Sequence, residues 1–389
     1  MKLSRRVALF TGAYTHIADG VSLTLNRLVA YLLDKGYDVR VFAPTAKNPF
    51  LPGNGTLVPV PSVAAPGRRD YRLSLGLSQS VRRALEAFAP DVVHIATPDL
   101  LGYSALRWAR KWHLPVVATF HTHFASYLPY YGLQPAEPLL WRYLRSFYNA
   151  CDLVLVPSAG MSQLLGRKGV CSPVAVWSRG VDHTRFSPAH RSAGYRKTIG
   201  GAEVPIVLYV GRLVKEKGLA TFAEVILRLQ HQGVPHRSLI VGEGPLRRLL
   251  QDRLPGTVFA GHLTGHALAQ AYASADMFFF PSQSETFGNV VLEAAASGLP
   301  VVAAESAAFK ALIEHGQSGF TAPAEDAEKL AGYVGTLLHD PQRREQMGKA
   351  SLEISMKFDW DGVLAQMPAY YQSVYPLRAA TFHVSEAPL

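Results

Sequence analysis

The stretch MFFFPSQSETFGNVVLEAAASGLPVV, residues 277 to 302, decides how the chain folds. An unbroken apolar run ends at Pro281 and gives way to a polar loop. The pattern then predicts a helix from about Asn289 to Ser297, stopped by Gly298 and Pro300. Val301 and Val302 restart an apolar, β-branched run. Continuous apolar strands alternating with helices imply a parallel sheet covered on both faces.

The alternation continues outward from this stretch. PIVLYVG, RSLIVG and TVFAG precede it as strands, separated by LATFAEVILRLQHQG, PLRRLLQDRL and HALAQAYASA, which have helical periodicity. Further upstream VALFTG, DVRVFAP, DVVHIAT, PVVATFHT and LVLVPS repeat the scheme around NRLVAYLLDKG, QSVRRALEAFAP and SALRWARKWH. A polar stretch near residues 180 to 200 separates the two sets. At 389 residues the chain is too long for one comfortable core. The expected class is α/β, with two doubly wound Rossmann-like domains facing across a cleft. Residues 1–185 form the first domain and 186–358 the second. Residues 359–389 supply a closing helix that crosses back to the first domain, then a tail.

With 48% apolar and 17% charged residues the chain is globular rather than disordered. Its net charge of +10 is unevenly placed, since residues 1–180 hold 20 Lys/Arg against 9 Asp/Glu. A basic half suits an anionic membrane surface, an anionic substrate or nucleic acid. No nucleic-acid-binding motif accompanies the arginines, so nucleic acid is not an expected partner. The two cysteines, Cys151 and Cys171, stand in no metal or redox spacing, as suits a reducing cytoplasm. VALF is too short for a signal-peptide core, and no apolar run approaches the roughly 18 residues that span a bilayer. The expected location is the cytoplasm, peripheral on the inner face of the membrane.

Open α/β sheets bind ligands at the carboxyl ends of their strands, so the residues just past each strand carry the chemistry. After Pro281, Glu285 lies on the loop and Glu293 inside the helix, with backbone N–H groups near Phe287, Gly288 and Asn289 between them. A glutamate within VVLEAAA needs a partner when buried. Arg212 and Lys217 in VGRLVKEKG suit a diphosphate, although a solvated charged loop reads the same way. Gly20 opens a helix whose N-terminus suits a phosphate, although glycine there is commonly a plain turn. In PVVATFHTHF, residues 115 to 124, His121 and His123 fit half a zinc site, a general base with a helper, or the polar rim of a buried sheet.

Four ordered motifs give the chain a family likeness: the Glu285 to Glu293 spacing, GRLVKEKG, VGEGPLR from Val241 to Arg247, and the early ADGVS turn. Together they resemble the retaining glycosyltransferases of family four, which have the GT-B fold. HTHFASYLPYYGL, LLWRYLRSFYNACDLVLVPS and WSRGVDHTRFSP are similar to the branch of sulfoquinovosyl-diacylglycerol synthases and related lipid glycosyltransferases. Mannosyltransferases of inositol lipids and of polysaccharide carriers share much of that pattern.

The resemblance implies retaining transfer of a sugar from a nucleotide donor, a UDP-sugar, to a lipid hydroxyl such as that of diacylglycerol, without a metal or other cofactor. It implies that Glu293 binds ribose, Glu285 the sugar or diphosphate region, and Arg212 with Lys217 the phosphates. Gly20 would reach the diphosphate, and the base would lie near Gly242 and the AGHLTG turn with His262 and Leu263. His121 would touch the transferred sugar. His123, Arg72 and Arg179 are candidate substrate contacts for an acceptor or an anionic sugar. Asp359 and Asp361 form a D-x-D pair in the C-terminal FDWDG segment and are read as a decoy for a metal motif. Three rival classes are a nucleotide-sugar epimerase, a dinucleotide oxidoreductase and a non-catalytic sugar-nucleotide binder. The oxidoreductase lacks its G-x-G-x-x-G after the first strand.

Overall fold

A computed structural model describes residues 6–17, 19–65 and 68–382 of the chain. Contacts divide it into two compact units. The first comprises the chain up to Thr122, Pro135–Trp177 and the chain from Gly362 onward; the second comprises His123–Gln134 and Ser178–Asp361.

In the first unit β1 (Arg6–Phe10), β2 (Asp38–Ala43) and β3 (Thr56–Pro59) are followed by a separate antiparallel hairpin of β4 (Ser62–Ala65) and β5 (Arg68–Ser74). Then come β6 (Val92–Ile95), β7 (Val116–Thr119), β8 (Leu153–Val156) and β9 (Val174–Val176). The main sheet runs β3-β2-β1-β6-β7-β8-β9. In the second unit β10 (Ile206–Val210), β11 (Arg237–Val241), β12 (Val258–Gly261), β13 (Met277–Phe280), β14 (Val301–Ala304) and β15 (Gly319–Ala322) pair in the order β12-β11-β10-β13-β14-β15. Every pairing in both main sheets is parallel. The chain thus forms two doubly wound α/β sheets, each reversing strand order beside its first strand.

Burial explains why these runs are strands. All four residues of β6, β7, β8, β13 and β14 are buried, as parallel strands covered by helices on both faces must be. Three strands and the hairpin escape a reading of apolar runs. β3 carries a proline and stays half-exposed, β9 has three residues, and β15 opens on Gly319. The helix Asn289–Ala296 ends in three alanines followed by Ser297 and Gly298, and a second helix, Pro341–Ser355, approaches closely there. A Cβ on Gly348 of that second helix would lie 2.3 Å from the carbonyl oxygen of Gly298.

The end of the chain is pinned through a buried histidine. His94 in β6 bonds the Tyr371 hydroxyl at 2.8 Å and the Thr119 hydroxyl at 2.7 Å. Burial pulls its pKa down to about 3, so the ring stays neutral and acts as a structural link to the helix Met367–Phe382.

Candidate active site

At the switch point of the second unit, the loops after β10, β11 and β13 are bound to one another. Leu213 N–H donates to the Glu243 carbonyl at 2.9 Å and Leu246 N–H returns to the Leu213 carbonyl at 3.1 Å. Glycine is required at two of these junctions. Gly218, at φ 70°, lies so close to the next loop that a Cβ would meet the Pro281 carbonyl oxygen at 2.1 Å. Gly242, at φ 140°, would bring its Cβ to 1.9 Å from the Gly211 carbonyl oxygen.

This closeness sets the charges. Lys217 Nζ lies 2.5 Å from Glu285 Oε1, both side chains largely buried, and the Ser282 hydroxyl donates to the same oxygen at 2.8 Å. The two residues read separately from the sequence as a phosphate cation and a sugar carboxylate are therefore one ion pair. Arg212 keeps a side chain that is 44% exposed, so its guanidinium is accessible to a ligand, and it lies 3.6 Å from the buried carboxylate of Glu216. Glu216 passes unnoticed in the sequence because K-E-K reads as a solvated run. Its carbonyl accepts the hydroxyl of Ser284 at 2.8 Å, and its side chain is buried.

The helix Asn289–Ala296 begins at Gly288, φ 97°, with no side-chain cap. Its N-terminal dipole is thus open to an anion. The space a Gly288 Cβ would need is taken by the Phe309 ring at 2.5 Å. Phe309 in turn lines a cavity of about 570 Å³ with Glu305, Lys310, His315 and Thr321. Phe287 is buried against Phe358, ring centroids 5.8 Å apart, while Asn289 stays partly exposed. Near the β12 end His262 is exposed, and Leu263 packs on the core.

Glu293 has the partner its apolar helix demands. The Tyr272 hydroxyl, fully buried in the helix Gly265–Ser274, donates to its Oε2 at 2.9 Å. Burial pushes the Glu293 pKa up to about 7, against the pull of that hydrogen bond and of Arg185. An acid raised above its unfolded value contributes stability below the unfolded pKa that is lost as pH rises through about 7. Where Glu293 takes a ribose, as the family resemblance implies, the ribose hydroxyl donors favour the ionised form. Nucleotide affinity is therefore expected to strengthen roughly tenfold between pH 6 and 8, with Glu293→Gln flat by titration calorimetry. A wild-type profile that matches the variant would remove Glu293 from the nucleotide site.

Gly20 does open the helix Gly20–Asp34, but its N-terminus already has an anion. Asp19 accepts from the N–H groups of Val21 and Ser22 in a capping box. A phosphate there would meet a carboxylate, unlike at Gly288.

β7 ends at Thr119, so His121 and His123 lie beyond the strand and its same-face rule does not apply to them. His121 is buried in the first unit with its ring edge to face on Trp177, centroids 6.3 Å apart. His123 falls to the second unit and opens a short 3-10 helix, Phe124–Tyr131, its carbonyl accepting from Ser126. Arg72 spends its guanidinium within the hairpin, on the Ser62 hydroxyl at 2.8 Å and carbonyl at 3.0 Å. Arg179 is buried, bonds the Ser178 carbonyl and has its pKa lowered by burial to about 10, so it remains a cation. Among the described residues, no three His, Cys, Asp or Glu side chains converge as metal ligands.

Two doubly wound α/β sheets in succession, one gathering cations, carboxylates and an open helix end at its switch point, define the GT-B class. A Glycosyltransferase Family 4 profile matches residues 18–185, and one for Glycosyl transferases group 1 matches residues 204–340. The sulfoquinovosyl transferase of Arabidopsis thaliana is 33% identical over 98% of this chain and 76% of its own. A GDP-mannose-dependent alpha-mannosyltransferase of Corynebacterium glutamicum is 32% identical over 96% of this chain and 90% of its own. Sucrose-phosphate synthase from Thermosynechococcus elongatus shares the fold, with a TM-score of 0.80 at 21% identity over 96% of this chain and 100% of that one. The chain belongs to glycosyltransferase family four.

Proposed function

We propose that this glycosyltransferase moves a sugar from a UDP-sugar to the hydroxyl of a membrane lipid such as diacylglycerol, with retention, forming an α-glycolipid. The observation that carries this reading is the gathering of Arg212, the Lys217–Glu285 pair and the uncapped helix end at Gly288 on one switch point. Diphosphate is the leaving group such a set stabilises. In this reading Arg212 and Lys217 take the phosphates, Glu285 the sugar, Glu293 the ribose and His121 the transferred sugar. No metal or cofactor takes part. Transfer is expected to persist in excess chelator, and a chelator-dependent loss would sink the metal-free account.

The lipid acceptor rests on two features of the first unit. Its half of the sequence carries the whole excess of positive charge, and Leu73 in the hairpin and Leu75 just after it are 52% and 57% exposed. Such a surface suits peripheral docking on an anionic inner leaflet. No helix among the described residues is long and apolar enough to cross a membrane.

A second donor reading, GDP-mannose, is favoured by the name of the Corynebacterium glutamicum relative. One donor panel decides between them: purified protein, UDP-sugars and GDP-mannose, with and without a total lipid extract. Release of nucleoside diphosphate coupled to a new glycolipid is the expected result. Conversion of the donor without lipid would favour an epimerase, and no release with any donor would favour a non-catalytic binder.

A further inference from the structure

The segment His123–Gln134 lies in sequence between parts of the first unit, yet its contacts place it in the second. One contact that holds it there joins Tyr131 to Glu216. The Tyr131 hydroxyl donates to Glu216 Oε2 at 3.3 Å, and the other oxygen, Oε1, faces Arg212 at 3.6 Å. Glu216 is 3% exposed, a buried carboxylate that needs opposite charge or donors on both oxygens. Its carbonyl is held by the Ser284 hydroxyl at 2.8 Å, which fixes the backbone from which the carboxylate extends.

We infer that Tyr131 and Glu216 form a latch by which donor binding at Arg212 tightens the His123–Gln134 segment. This deepens the proposed donor site and rests on it. When a diphosphate draws the Arg212 guanidinium away, Glu216 loses countercharge and leans harder on the Tyr131 hydroxyl. A hydrogen bond to an ionised acceptor strengthens as its competing partner leaves. The tie is reciprocal: a segment seated on Glu216 leaves Arg212 readier for the diphosphate. The segment begins two residues after His121, so seating it also constrains the chain that carries the proposed sugar contact. Tyr131 is thus a positioning residue, acting through Glu216, and the latch holds the segment more firmly when the donor is in place.

Hydrogen exchange on the full chain, with UDP and with GDP as probes, tests the latch. Amides such as those of Ser126 and Leu133, bonded within the segment to the carbonyls of His123 and Leu128, report its opening. Either nucleotide that protects the 211–218 loop is expected to slow exchange over 123–134 about fivefold or more. Tyr131→Phe, which keeps the ring, is expected to lose that response. Glu216→Gln keeps an acceptor for Tyr131 but removes the charge, and is expected to lose the nucleotide response as well. In kinetics, Tyr131→Phe is expected to lower the kcat of transfer about tenfold and to raise donor KM by up to about fivefold, as the reciprocal tie requires, with donor hydrolysis at saturating donor and without acceptor unchanged. Protection of 211–218 with no change over 123–134 would overturn the latch alone, as would an equal fall in hydrolysis and transfer. Failure of both nucleotides to protect 211–218 would overturn the donor-site reading, and the latch with it.

Discussion

Arg212→Ala and Lys217→Ala are each expected to lower sugar transfer by about 10²–10³, the loss seen when a preorganised stabiliser of developing negative charge is removed. The two should differ in what else they cost. Arg212 is half-exposed and 3.6 Å from Glu216, which keeps the Tyr131 hydroxyl on its other oxygen, so Arg212→Ala should cost less stability than Lys217→Ala. Lys217 is buried against Glu285, and truncating it strands a carboxylate that then has the Ser282 hydroxyl for its bond. Breaking one side of such a pair costs about 3–5 kcal/mol. The double variant Lys217→Met with Glu285→Gln removes both charges while keeping volume, so it should recover stability without recovering transfer. Chemical denaturation and steady-state kinetics on the same preparations separate the two effects. Near-full activity with both Arg212 and Lys217 replaced would end the leaving-group account.

Substituting Gly218 or Gly242 by alanine should be as damaging although neither side chain touches a charge. Each sits in a backbone region that costs an L-residue about 1–2 kcal/mol. Each Cβ would also enter the van der Waals shell of a carbonyl oxygen, of Pro281 for Gly218 and of Gly211 for Gly242. Loops after β10, β11 and β13 would have to separate. At Gly218 that separation falls on the 2.5 Å Lys217–Glu285 contact itself. A loss of transfer of about 10²-fold is expected for Gly218→Ala even where the protein stays folded, because a displacement near 1 Å at a reacting centre costs that much. Gly233→Ala is the control, since its positive φ of 69° carries the same backbone cost with no atom near its Cβ. Equal activity in Gly218→Ala and Gly233→Ala would refute the packing argument.

Much of the architecture is legible in the sequence. Apolar runs of four or five residues between helical stretches gave ten of the strands, and the need for a partner at Glu293 followed from its apolar neighbours alone. Tyr272, the partner, was read only as part of a helix, because its hydroxyl is turned to Glu293 by packing that no local pattern encodes. The strands β3, β4 and β9 carry no such pattern for the opposite reason: they are half-exposed, so burial imposes no apolar signature on them. Gly20 shows where a correct local reading still left its chemistry open. The helix starts there, and the preceding Asp19, plainly visible in ADGVS, caps it.

The sequence by itself determined two doubly wound sheets, the strand ends where chemistry collects, and membership of a glycosyltransferase family, since periodicity and short motifs are local properties. Tertiary structure alone decided which charges meet. Lys217 pairs with Glu285 across 68 residues and Tyr131 reaches Glu216 across 85. The choice of partner depends on how closely backbones approach at glycines such as Gly218, and on which carboxylates are drawn away from water. Both are settled only when the loops have packed.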